Sequence, residues 1–177
     1  SEAEEVVRRV EKLAEDIKRV IDKSLEDVER LVRDAKRRSR EVLREVEKLV
    51  EDITRRIRDE EVKRRVEKVL REIRRIIRES EKHLDKVLDD IEKILRKSKK
   101  HIDDVLREVK EIIDRVRDEE ILRRALEKVE RVITENKKEN EDALRDAKRK
   151  IDKDKEDNKK VLDDVRRIIE ELKEETR

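Results

Sequence analysis

No glycine and no proline occurs anywhere in the 177 residues of this chain. Those are the residues with which most chains make turns and strained backbone. A chain without either is suited to long regular elements, and the spacing of its apolar residues says which kind. In the first third they fall at Val10, Leu13, Ile17, Ile21, Val28, Val32, Ala35, Val42, Val46, Leu49, Ile53 and Ile57. Steps of three, four and seven trace one face of an α-helix. The opposite face is charged, with Glu and Lys or Arg repeatedly one turn apart. High charge is also a mark of disordered chains, but those carry no such period.

The charge itself excludes several partners. Lys and Arg number 54 against 52 Asp and Glu, a net of +2, and the two signs alternate along every face. No field of one sign is available to draw in nucleic acid or an anionic membrane, and there is no aromatic residue on which a base could stack. Apolar runs stop at two residues, as at Val6-Val7 and Ile76-Ile77, far short of the roughly 20 that span a bilayer. No targeting signal is present, so the expectation is a soluble chain whose location the sequence leaves open. With no Cys, disulfides and thiolate chemistry are absent.

A single helix of this length would run roughly 265 Å. Two slips in the apolar phase break it instead. After Ile53 and Ile57 the stripe meets Glu60 and Arg64 and restarts at Val62, Val66 and Val69; after Ile113 and Val116 it restarts at Ile121, Leu122 and Ala125. Both slips carry one text, Arg58-Asp59-Glu60-Glu61 and Arg117-Asp118-Glu119-Glu120, 59 residues apart, which divides the chain into equal thirds. Asp59 and Asp118 are placed to cap new helices whose first turns are acidic, and Ser1 with Glu4 reads as a capping box. The expected architecture is all-α: one domain, 1–177, folded as an up-down-up antiparallel three-helix bundle. Its helices span about 2–57, 60–116 and 119–176, with short loops near 58–60 and 117–119, each helix roughly 85 Å long.

Polar residues interrupt the stripe at Ser24, Ser39, Ser80, His83, Ser98, His101, Asn136, Asn140 and Asn158. Ser80 and His83 recur as Ser98 and His101, 18 residues on, and Asn140 recurs as Asn158 at the same interval. Eighteen residues are five turns, which returns to one face without drift and predicts nearly straight helices. Folding at the loops sets residue i of the first helix level with about 118 minus i in the second, and second-hairpin partners add to about 237. Two strata result. One gathers Ser24, Ser98, His101, Asn136 and Asn140; the other gathers Ser39, Ser80, His83 and Asn158, with Asp154 a further candidate. Hydroxyl, amide and imidazole groups can satisfy one another inside a core, while a slipped register leaves each unpaired at about 1–3 kcal/mol.

Sharper chemistry fits poorly. His83 and His101 stand about 27 Å apart along one helix and cannot share an ion, so no metal or cofactor is expected. The Ser80/His83 and Ser98/His101 pairs lack an orienting third group and an oxyanion hole, so catalysis is not expected. A buried neutral imidazole would instead act as a pH switch, the network being intact above the unfolded histidine value and weakening as acid protonates it.

Together the Ser/His/Asn layers, the aliphatic seam, the Glu/Lys/Arg coat and the Asp-Glu-Glu helix openings resemble de novo designed helical bundles with buried hydrogen-bond networks, among them histidine-containing ones intended to respond to pH. That resemblance covers the whole chain. It implies a structural scaffold with no natural activity, its network at the nine positions named above. Such pH-responsive bundles are mainly oligomers of helical hairpins, whereas three phased thirds here predict a self-contained monomer that needs no partner. The alternative is a helix–helix interaction module, either a homo-oligomer or an acceptor of a partner helix. The third helix motivates it, because Asn136, Asn140, Ala143, Ala147, Asp154 and Asn158 leave its seam the least apolar.

Overall fold

A computed structural model describes residues 1–175 as three helices: α1 (Glu2–Arg56), α2 (Glu60–Arg115) and α3 (Glu119–Glu175). The expected last helical position, 176, lies outside the described residues. The fold is an all-α three-helix bundle in which all three helix pairs touch. No strand occurs among the described residues.

The connections show how a chain makes turns without glycine. Each loop is three residues, 57–59 and 116–118, and no described residue has a positive φ. The last helical turn closes through Ile57 N–H to Ile53 O (2.9 Å) and Val116 N–H to Ile112 O (2.9 Å). An aspartate then opens the next helix, so nothing demands the left-handed backbone that favours glycine. Asp59 Oδ1 accepts from Glu61 N–H at 2.9 Å, while Asp118 Oδ1 accepts from both Glu120 N–H (3.0 Å) and Ile121 N–H (3.1 Å). Ser1 Oγ accepts from Glu4 N–H at 3.3 Å, with the Glu4 carboxylate 3.6 Å from the Ser1 nitrogen. The first turn of α1 has a further cap, since Ala3 N–H donates to Glu119 Oε1 of α3 at 3.3 Å. Losing the Asp118 carboxylate should therefore destabilise more than losing that of Asp59. Urea melts are expected to show Asp118→Ala down by about 1 kcal/mol and Asp59→Ala by less.

The chain packs as two compact units, each taking a section of every helix: Ser1–Glu29 with Asp89–Ala147, and Arg30–Leu88 with α3 from Lys148 onward. In the first, Val10, Ile17, Ile21, Leu95, Ile102, Leu126 and Ile133 are nearly or fully buried. In the second the core gathers Val46, Val50, Ile53, Ile57, Val66, Ile73, Ile77, Leu162 and Ile169. Aliphatic side chains of this kind contribute roughly 1.5–3 kcal/mol each when fully buried, the main term opposing chain entropy.

Ion pairs fix the register within each unit. Between α1 and α2 they join Lys18 to Asp103 and Asp22 to Lys99 in the first unit, Lys36 to Asp85, Arg40 to Glu81 and Glu47 to Arg74 in the second. Each step up α1 is matched by an equal step down α2, so these helices are antiparallel. Between α1 and α3, Glu2 reaches Arg123 and Arg9 reaches Glu130 in the first unit, and Glu45 reaches Arg166 and Asp52 reaches Lys173 in the second, all 121 residues apart, so within each unit these two run parallel.

Candidate functional site

A helix seam of valine, isoleucine and leucine offers no chemistry, so the polar residues set into it are the candidate site. Ser80 and Ser98 stand five turns apart on the core face of α2, and each becomes the pivot of a layer. In the first unit the Ser98 hydroxyl donates to Asn136 Oδ1 at 2.6 Å, and Asn140 Nδ2 donates back to Ser98 Oγ at 2.7 Å. In the second, the Ser80 hydroxyl donates to Asp154 Oδ2 at 2.5 Å, Asn158 Nδ2 donates to Ser80 Oγ at 2.5 Å, and the same amide reaches Ser39 Oγ at 3.5 Å. Ser39, Ser80, Ser98, Asn136, Asn140 and Asn158 are all buried. Among the described residues no buried side-chain nitrogen or oxygen lacks a partner.

The layers share a plan. Asn136 and Asn140 on α3 correspond to Asp154 and Asn158 eighteen residues on, one helical turn separating the two members of each pair. A hydroxyl has one proton to give and lone pairs to receive, so a single serine can join two α3 side chains. The chemical difference is at one position, a neutral amide in Asn136 and a carboxylate in Asp154. The Asp154 side chain is 15% exposed, held against α2 by the Ser80 hydroxyl.

Both histidines depart from expectation. His83 and His101 are exposed. Three residues beyond an inward serine the helix has turned 300°, which carries the imidazole out of the seam onto the flank. His83 Nδ1 lies 3.8 Å from Asp154 Oδ1 with 52% of its side chain exposed, so it touches the second layer from outside and belongs to no buried network. Ser24 also departs: it is half-buried and, among the described residues, makes no hydrogen bond to the layer. Asn158 pairs with Ser39 at a separation of 119, and that separation from Asn140 leads to Ile21, which is 2% exposed. Ser24 is almost a turn away, and its side chain is too short to close the gap.

Ser80, His83 and Asp154 include the residue types of a hydrolytic triad, but their connection is wrong for one. The hydroxyl gives its proton to the carboxylate, and the imidazole meets the other carboxylate oxygen instead of the hydroxyl it would have to deprotonate. No group of three or more His, Asp or Glu side chains among the described residues is placed to hold a metal ion. No helix among the described residues is long and apolar enough to cross a membrane.

Around the second layer a feature appears that spacing alone did not mark. Arg40 and Glu81, each next in sequence to a layer serine, form a two-bond bridge of 2.7 and 3.2 Å between α1 and α2. The Arg40 guanidinium is held above its ordinary value, first by that hydrogen bond and then by the charge of Glu81. Arg75 is raised likewise by its hydrogen bond to Glu72. A raised basic group stabilises the fold at every pH below its unfolded value and loses this only at strongly alkaline pH. Neither pair therefore gives the protein a pH response in the neutral range.

Comparison with family models, with curated proteins and with solved structures finds no match to this chain.

Proposed function

We propose that the chain is a designed structural scaffold, a three-helix bundle without catalytic or cofactor chemistry, whose two Ser/Asn layers specify how its helices align. The observation that carries this reading is the way Ser98 and Ser80 each hold two α3 side chains one turn apart. Aliphatic seams tolerate sliding, because one valine or leucine substitutes for another at small loss. The layers do not tolerate it, since a shift of one turn parts each serine from one of its partners inside the core. The glycine-free alphabet, the repeated loop text and the five-turn repeat support the design origin.

The test replaces one layer by apolar residues, Ser98→Ala with Asn136→Leu and Asn140→Leu. Exchanging both sides of a buried polar contact for apolar groups is often neutral or stabilising. The melting temperature is therefore expected to hold or rise. Amide resonances of residues near the layer are expected to double or broaden as neighbouring registers become populated. A single sharp set of resonances in that variant would overturn the reading.

Because both imidazoles are exposed, this reading expects the histidines to contribute little to stability. A variant carrying His83→Asn and His101→Asn should differ from the parent by no more than about 0.5 kcal/mol at pH 7.5 and at pH 5 alike, as exposed substitutions do. Denaturant melts of both proteins at the two pH values check this.

A further inference from the structure

Among the described residues six large aliphatic side chains are exposed, Val20, Ile94, Ile113, Ile121, Val132 and Ile168, and two of them flank a buried polar layer. In the first unit, Ile94 of α2 is 47% exposed and Val132 of α3 is 41% exposed, and both line one groove of about 480 Å³ between these helices. Its floor is the Ser98–Asn136–Asn140 layer. Ile94 is one turn before Ser98 on α2, and Val132 is one turn before Asn136 on the antiparallel α3, so the two stand at opposite ends of the groove. The walls differ in chemistry: Lys97 and the His101 imidazole on α2, the carboxylates of Glu135 and Glu139 on α3. None of these four makes an ion pair within the chain among the described residues.

The second unit supplies an internal control. Eighteen residues away, the position of Val132 is taken by Lys150 and that of Ile94 by Ile76, which is half-buried. Lys97 is replaced by Glu79 and Glu135 by Lys153, while His101 and Glu139 keep their types as His83 and Asp157, so neither wall there carries a single sign. The repeat therefore accepts a lysine where the first unit exposes a valine, and the matching positions of the second unit do not reproduce the two exposed aliphatic ends.

The geometry points to a second copy of this chain as the occupant. If two grooves face each other about a two-fold axis parallel to the helices, the α2 wall of one copy lies opposite the α3 wall of the other. Lys97 then meets Glu139 of the second copy, His101 meets its Glu135, the two Ile94 side chains close one end and the two Val132 side chains close the other. A two-fold axis across the groove would instead set Lys97 against His101 of the second copy and Glu135 against its Glu139, leaving acid against acid. Charge complementarity thus selects the parallel pairing. The aliphatic contact is small beside the surface a stable dimer buries, so the association is weak and salt-sensitive.

Sedimentation equilibrium of the full chain, from low to high micromolar concentration, tests this. The average mass is expected to rise from 21.6 kDa toward twice that value with concentration, and to rise less in high salt. The double variant Ile94→Lys/Val132→Lys should stay at the monomer mass throughout, its helical signal and melting unchanged because both sites are exposed. Lys97→Glu alone and Glu139→Lys alone should each weaken association at least tenfold, and the two together should restore it. A mass of 21.6 kDa at every concentration overturns the proposal. So does association that survives the double lysine variant, and failure of the paired charge reversal to restore it overturns the parallel arrangement. None of these outcomes bears on whether the buried layers set the register, which the amide resonances report separately.

Discussion

Replacing Ser80 with alanine should destabilise the protein by about 2–4 kcal/mol, because one deletion strips a partner from a buried amide and a half-buried carboxylate at roughly 1–3 kcal/mol each. Asp154 loses the hydroxyl proton bonded to its Oδ2, and Asn158 loses the oxygen that accepts from its amide. Asp154 bears the larger share, since it is a carboxylate with only 15% of its side chain exposed. Ser98→Ala removes the corresponding pivot, but the groups it orphans, Asn136 and Asn140, are neutral. Its expected loss is smaller, about 1–3 kcal/mol. Urea denaturation of the two variants at pH 7 measures the difference. Equal losses would mean that the charge at position 154 is relieved by solvent despite its burial.

The same asymmetry shows which parts of the structure the sequence could convey. Periodicity and loop text are local, and they located the three helices, the two connections and the caps at Ser1, Asp59 and Asp118. Level matching between α2 and α3 also succeeded, bringing Ser98 to Asn136 and Asn140 and Ser80 to Asn158. It worked because serine and asparagine are short and meet only when their Cα atoms are nearly level.

Long side chains behave differently. Lys18 bonds Asp103, where folding about the loop sets it level with Lys100, and the other α1–α2 pairs are displaced in the same direction. Side chains on a helix lean toward its own N-terminus, so two antiparallel helices meet through residues whose Cα atoms are offset, each toward its C-terminus. The histidines were misplaced by a finer matter of angle. The stripe defines a face about a third of the helix wide, and a residue at its edge can turn in or out according to what the neighbouring helix offers there. For His83 the neighbour offers a carboxylate at the rim; for Ser24 the level of the layer had already been taken by Ile21.

Asn158→Asp should have the largest effect of any single change of a layer residue, and its sign should depend on pH. At pH 7 it places a second carboxylate in a buried position, one turn from Asp154, with both facing a serine that has one proton to give. Leaving a charge uncompensated at such a site is expected to destabilise by about 3–5 kcal/mol. Burial and the like charge both disfavour the ionised form, so the introduced carboxyl would titrate in the folded state above its unfolded value of about 3.9. The native state then binds more protons than the unfolded state between those two values. Stability relative to the parent accordingly rises as pH falls through that window, and below it the protonated carboxyl can donate to Ser80 or Asp154 much as the amide does. Asn140→Asp in the other layer faces the neutral Asn136, so its penalty at pH 7 should be smaller and its window narrower. Denaturant melts of parent and variants at pH 7, 5.5 and 4 measure the difference at each pH, which removes the acid sensitivity that all three proteins share. A penalty for Asn158→Asp that stays constant from pH 7 to pH 4 would show that the introduced group is not held beside Asp154, and that the second layer opens to water when it is charged.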